Sequence, residues 1–304
     1  MRTRRLVGSA LGGYTLWRLF GPVTRPRSHG PQEHPLPLPG RTVFVGNKEL
    51  FVREAGLPDA PPLVLIHGWV YESITTFSAL VPLLIDRFRV IMIDQRNYGG
   101  SSRIHEEYEI DTVADEIAGV LDRLEVGRAT VFGYSMGGMV AQALARRHPG
   151  HVKRVVYGAS AAKPMRKPVL DAIGMTVLRV LWKIGNLEGA RVSHLILRRV
   201  GAYGPEHDRW LWDVMLNRDP ELNMRALRAI KRFDSRKWVG QLDAPALVII
   251  PSRDQIISPG TQYELAGLIR RPQVLELSGA RHEAIFTHAR EIAEAVVEFA
   301  EKTQ

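Results

Sequence analysis

The chain has no cysteine among its 304 residues. Disulfides and cysteine-ligated metals are thereby excluded, and the compartment is left open. It has no internal repeat, no dinucleotide fingerprint and no cluster of His, Asp and Glu at metal-ligand spacing. No metal and no organic cofactor is therefore expected. A nucleic-acid-binding signature is missing too, so no nucleic-acid partner is expected. The N-terminus lacks a stretch of membrane length. Arg2, Arg4 and Arg5 precede an uncharged segment, Leu6–Trp17, which Arg18 interrupts. As a helix it would cover roughly 18 Å, short of a hydrocarbon core of roughly 30 Å. No small-x-small cleavage site follows.

What is present suits a globular protein. Hydrophobic residues make up 45% of the chain and charged ones 24%, enough apolar matter for one large α/β domain or a core with an insertion. The formal charge of +9 is uneven. Residues 1–40 hold six arginines against one glutamate, and residues 163–240 hold sixteen Lys/Arg against eight Asp/Glu. In the second region the cations alternate with apolar residues at helical spacing, which predicts solvated helices or a membrane-facing surface. For the first, an interfacial helix with Trp17 and Phe20 at headgroup level competes with a frayed tail. A cytoplasmic or membrane-associated location is expected. Thr3-Arg4-Arg5-Leu6 resembles a twin-arginine signal, so export of that type is an alternative. Six prolines between Pro22 and Pro39 predict an extended linker, which closes a first segment over residues 1–40.

From there the pattern is that of alternating strands and helices. Thr42–Gly46 and Glu49–Glu54 predict a hairpin around Asn47-Lys48. Continuous apolar runs follow at Leu63–Ile66, Val90–Ile93, Thr130–Phe132, Val155–Tyr157, Leu247–Ile250 and Val274–Leu277. Such runs suit strands covered on both faces. Helical spacing predicts Thr112–Leu124 with Asp111 as N-cap, then Met136–Arg147, Thr261–Ile269 and Ala289–Phe299. The expectation is an eight-stranded, mostly parallel sheet flanked by helices, formed by residues 41–162 and 241–304. Residues 163–240 break the alternation. They show helical period over Val169–Trp182, Ala190–Val200, His207–Leu216 and Asn223–Phe233, and predict an inserted, all-helical subdomain.

Residues 133–138 read Gly-Tyr-Ser-Met-Gly-Gly, between an apolar run and a helix. A strand turning sharply into a helix crowds its backbone, and Gly133 and Gly137 leave room for it. Ser135 is then held out at the tip, facing a helix N-terminus that favours a developing oxyanion. A serine hydroxyl needs a base, and the base needs a carboxylate to orient it. In an open α/β sheet both must lie past the carboxyl ends of strands. Of ten histidines, only His67 and His282 follow strands at that edge. Asp254 follows Leu247–Ile250 by a short turn. Asp243 precedes its strand, at the wrong end, and Gly158–Ala162 holds no acid. The candidate triad is therefore Ser135, Asp254 and His282. The expected oxyanion donors are the amides of Met136, directly after the serine, and Trp69, in the loop His67-Gly68-Trp69. His67, Gly68 and Tyr134 are expected to line the substrate pocket, with the Trp69 indole against the acyl group.

These residues resemble the α/β-hydrolase superfamily over roughly residues 42–304. The resemblance rests on His67-Gly68, on Asp94-Gln95-Arg96-Asn97-Tyr98-Gly99-Gly100-Ser101, on the turn around Ser135, on Asp254 and on His282. Members commonly carry glycine where Asn97 stands; asparagine tolerates left-handed φ better than most residues. The resemblance implies that the insertion is a cap over the site. With the candidate triad it points to a serine hydrolase acting on carboxylic esters. The insertion adds Met165, Met175, Trp182, Trp210, Trp212, Met215 and Met224, of which a minority are expected to face an apolar acyl pocket. With the basic segments beside them, these residues lead to the expectation of a lipophilic small-molecule or lipid ester as substrate and of a membrane surface as a further partner through residues 1–40. An acyltransferase, a carbon–carbon hydrolase or a non-catalytic binding homologue would use the same scaffold.

Overall fold

The computed structural model describes residues 36–164, 197–199, 208–216 and 218–302. The basic N-terminal segment with most of its linker, Met165, and the expected helix Val169–Trp182 with Met175 and Trp182 lie outside the described residues. So does most of Ala190–Val200. Among the described residues no helix is long and apolar enough to cross a membrane.

Eight strands form one sheet in the order β1-β2-β4-β3-β5-β6-β7-β8. β1 (Gly40–Val45) and β2 (Lys48–Gly56) pair antiparallel, and β2 pairs antiparallel with β4 (Arg89–Ile93). β3 (Pro62–Ile66), β5 (Ala129–Tyr134), β6 (Val152–Gly158), β7 (Ala246–Pro251) and β8 (Gln273–Leu277) continue it in parallel. The first hairpin turns at Gly46-Asn47, one residue earlier than the sequence predicts, because Gly46 takes φ +61°.

The helices are α1 (Ser73–Phe77), α2 (Ile110–Arg123), α3 (Met136–Arg147), α4 (Asp208–Leu216), α5 (Pro220–Arg232), α6 (Pro259–Leu268), α7 (Ala284–Thr287) and α8 (Ala289–Glu301). α2 begins one residue before the expected cap. Ile110 is buried and draws the backbone into the first turn, which leaves Asp111 inside it near the positive dipole end. α5 starts three residues before the expected Asn223. Asp219 caps it by accepting from the amides of Glu221 and Leu222, and Pro220 takes the first helical position.

The continuous apolar runs exist because both sheet faces are covered. Val64, Ile66, Val131, Val155 and Val248 pack with α2 and α3 residues such as Val113, Ile117 and Val140. Their chain neighbours Leu63, Leu65, Phe132, Val156 and Ile249 pack on the other face with Phe77, Ile292 and Val296. Burying each such side chain contributes roughly 1.5–3 kcal/mol, as an upper bound. Of the expected insertion, α4 and α5 are described and helical. Leu197, Trp210, Leu211 and Met215 form a small buried cluster there, against Tyr71 and Phe286 of the core.

Register decides where the site falls. Tyr134 pairs with Gly158, Gly158 with Ile249, and Pro251 with Leu277. The carboxyl ends of β5 to β8 are thus level, and the loops after them emerge side by side.

Candidate active site

Ser135 sits between β5 and α3 with φ 54° and ψ −118°, a conformation that costs a non-glycine residue strain. The turn closes tightly, with the Ser135 amide 2.8 Å from Gly158 O. A Cβ on Gly137 would lie 2.0 Å from Ile66 O, and one on Gly133 would lie 2.2 Å from Gly137 O. Only glycine lets the helix start this close to β3.

The structure brings the other two candidates to this serine. His282 Nε2 lies 3.1 Å from Ser135 Oγ, and His282 Nδ1 lies 2.8 Å from Asp254 Oδ2. A carboxylate only accepts, so Nδ1 carries the ring proton and Nε2 presents its lone pair to the hydroxyl. The Asp254 carboxylate is fully buried and filled with donors. Its Oδ1 accepts from the amides of Ile256 and Ile257 at 2.8 and 2.9 Å, and its Oδ2 also accepts from Gln262 Nε2 at 3.0 Å. This arrangement can hold an anion beside an imidazole and direct that imidazole at a hydroxyl.

Tyr134, expected at the substrate pocket, ends β5 directly before Ser135. It is buried, its hydroxyl donates to His282 O at 2.7 Å, and the same hydroxyl accepts from the Ile285 amide at 3.3 Å. It pins the histidine loop from below. His67, expected there too, directly follows β3. It is wholly buried, with Nδ1 2.8 Å from Gly68 O and Nε2 accepting from the Gln95 amide at 3.0 Å. Burial pushes its pKa down, which keeps the ring neutral in that tautomer. Gln95 reciprocates by donating to His67 O, and Tyr108 donates to Gln95 Oε1. Backbone polar groups buried near the turn need such partners, and the strand-end position of His67 supplies them.

Gly68 does border the serine: a Cβ there would be 3.3 Å from Ser135 Cβ. Trp69 follows it, and its indole N–H donates to Asn223 O at 2.9 Å, tying the loop to α5. Val70 next to it has φ 85°, an outlier for a β-branched residue. Met136 is the first helical residue after Ser135, so its amide has no carbonyl partner one turn back. Asn97 takes φ 72°, as the resemblance implies for that position, and its Oδ1 accepts from the Ile104 amide at 2.6 Å.

Several supporting side chains escape sequence reasoning. Asp94 directly follows β4 and accepts from Ser73 N at 3.0 Å and Gly100 N at 3.1 Å, with Arg53 Nη1 at 3.2 Å. Its place in the Asp-x-Arg segment is the one signal for it. Gln262 has no signal, since a glutamine in a helix is ordinarily a surface residue. Among the described residues no group of three or more His, Asp or Glu is placed to hold a metal ion.

Residues 61–175 match the family described as alpha/beta hydrolase fold. The chain is 26% identical to the AB hydrolase superfamily protein YisY of Bacillus subtilis, over 82% of this chain and 94% of that protein. It is 26% identical to the pimeloyl-[acyl-carrier protein] methyl ester esterase of Neisseria meningitidis, over 81% of this chain and 78% of the other. Among solved structures, the enol-lactonase from Burkholderia xenovorans superposes with a TM-score of 0.75 at 27% identity, covering 86% of this chain and all of that one (100%).

Proposed function

The chain belongs to the α/β-hydrolase superfamily, and from that premise we propose that it is a serine hydrolase that cleaves carboxylic esters through an acyl-enzyme on Ser135. The observation that carries this reading is the unbroken line from Asp254 Oδ2 through the His282 ring to Ser135 Oγ. His282 Nε2 takes the hydroxyl proton as Oγ attacks the ester carbonyl. Asp254 orients the ring and stabilises its cation. The Met136 and Trp69 amides hold the oxyanion; one such donor is worth around 3 kcal/mol. Collapse of the tetrahedral adduct expels the alcohol, which leaves with the proton from His282. Water, deprotonated by the same nitrogen, then attacks the acyl-enzyme, releases the acid and restores Ser135.

Two relatives support ester chemistry. One is named a methyl ester esterase, the other an enol-lactonase, and a lactone is a cyclic ester. A lipophilic acyl part is supported by the apolar cluster of α4, which rests on Tyr71, in the loop after β3, and on Phe286, in α7 just after His282.

A fluorophosphonate probe should label the folded protein at Ser135, and Ser135→Ala should abolish labelling. Unlabelled but folded protein would favour a binding homologue. p-Nitrophenyl esters of increasing chain length then test the acyl part; turnover confined to acetate would refute a lipophilic one. Product analysis in the presence of added alcohols separates hydrolysis from acyl transfer.

A further inference from the structure

One face of α6 is buried. Leu265 and Ala266 on it, and Ile269 just past the helix end, join the apolar core with Val248 and Ile250 of β7. Gln262 stands on the same face, one turn before Leu265 and Ala266, where helical period calls for an apolar side chain. It is wholly buried.

The Gln262 amide is engaged at one end only. Nε2 donates to Asp254 Oδ2 at 3.0 Å and to Ile257 O at 2.7 Å. A carboxylate and a carbonyl only accept, so the amide cannot sit the other way round. Its Oε1 is out of reach of water and has no hydrogen-bond partner. A buried acceptor left unmet lowers stability, and an apolar side chain would avoid that loss. What the position gains from glutamine is therefore the NH2 group.

That group completes the cage around the carboxylate. The Ile256 and Ile257 amides anchor Asp254 Oδ1 and leave the other oxygen free to rock. Gln262 holds this other oxygen, the one that also accepts from His282 Nδ1 at 2.8 Å. A carboxylate oxygen has two lone pairs. At Oδ2 Gln262 fills one and His282 the other, so the imidazole meets an acceptor of fixed direction. The helix and Ile257 O fix Gln262 in turn.

We propose that Gln262 is a positioning residue for the reaction at Ser135: it holds Asp254 Oδ2 in line with His282 Nδ1, which keeps Nε2 aimed at Ser135 Oγ. It acts through Asp254 and touches no substrate. The proposal rests on the serine hydrolase reading. Gln262→Met keeps the length and removes the NH2. Gln262→Asn keeps the amide but draws it back from Oδ2, and it serves if the first variant does not fold. Each loses one hydrogen bond to a charged group, so kcat for p-nitrophenyl butyrate should fall about tenfold or more. KM should stay within about twofold. Fluorophosphonate labelling of Ser135 should slow to a similar degree. In the Asp254→Asn background the Gln262 NH2 already faces a donor, so adding Gln262→Met should cost no further activity. A loss that persists in that background marks a merely structural role and overturns the proposal. So does a folded variant with the parent kcat, or a change confined to KM. The two readings fail separately. Equal labelling rates in parent and variants sink the positioning role alone. Slower labelling of the variants with no ester turnover by any of them keeps that role and sinks the esterase. An unlabelled parent sinks both.

Discussion

Asp254→Asn changes one atom in a fully occupied pocket. The Asp254 carboxylate receives the Ile256 and Ile257 amides on Oδ1, and Gln262 Nε2 with the His282 Nδ1 proton on Oδ2. A carboxamide has one acceptor end and one donor end. Turning its NH2 toward the two backbone amides would leave both buried donors unmet, at about 1–3 kcal/mol each. Its oxygen therefore stays there, and the NH2 faces His282. The imidazole then accepts at Nδ1 and carries its proton on Nε2, pointing at Ser135 Oγ. It can no longer take the serine proton. A wrong tautomer in this arrangement costs on the order of 10⁴ in kcat, or about 5.4 kcal/mol of barrier. Gln262 cannot relieve the clash by flipping, because Nε2 also donates to Ile257 O at 2.7 Å. A stability loss of about 1–3 kcal/mol accompanies the lost bond. Steady-state hydrolysis of p-nitrophenyl butyrate reads the first number and thermal unfolding the second. A folded variant within tenfold of the parent activity would refute the reasoning.

Gly137→Ala places a methyl 2.0 Å from Ile66 O, so the start of α3 must shift by roughly 1 Å. Activity should fall on the order of a hundredfold and stability by about 1–3 kcal/mol; Gly260→Ala, with nothing within 4 Å, should match the parent in both assays. His67 should remain neutral in its NMR titration below its ordinary pKa of 6.5. Its folded pKa is depressed by burial, so as pH falls from 6.5 the unfolded chain takes a proton that the folded one refuses, and stability drops by up to about 1.4 kcal/mol per pH unit. Glu72, raised above 4.5 by burial and then by Asp94, has the opposite sign: its contribution is lost as pH rises through its folded value. The His67 share is therefore the difference between parent and His67→Asn, and a flat difference would contradict the buried neutral ring.

Much of the architecture is legible before folding because its signals are local. A strand covered on both faces must be apolar throughout, so each run between Leu63 and Leu277 announces itself, though not its partner. Element ends are less legible: Gly46 and Ile110 shift two boundaries by a residue through a positive φ and a buried side chain. Ser135, Asp254 and His282 can be singled out as candidates because each follows a strand at one edge. The roles of His67 and Tyr134 cannot be read that way. A strand-end residue can point into the cleft or under it, and here the partners decide: Gly68 O and the Gln95 amide hold His67, while His282 O and the Ile285 amide hold Tyr134.

By itself the sequence determines the alternation of strands and helices, the glycines that permit the turn at Ser135, and which side chains can reach that edge. Only the tertiary structure decides that the ends of β5, β7 and β8 are level, that Gln262 crowns Asp254, and that the Tyr134 hydroxyl reaches the backbone of His282. The reason is physical: periodicity and backbone freedom are properties of neighbouring residues, whereas register, burial and hydrogen-bond pairing belong to groups that meet only once the sheet has closed.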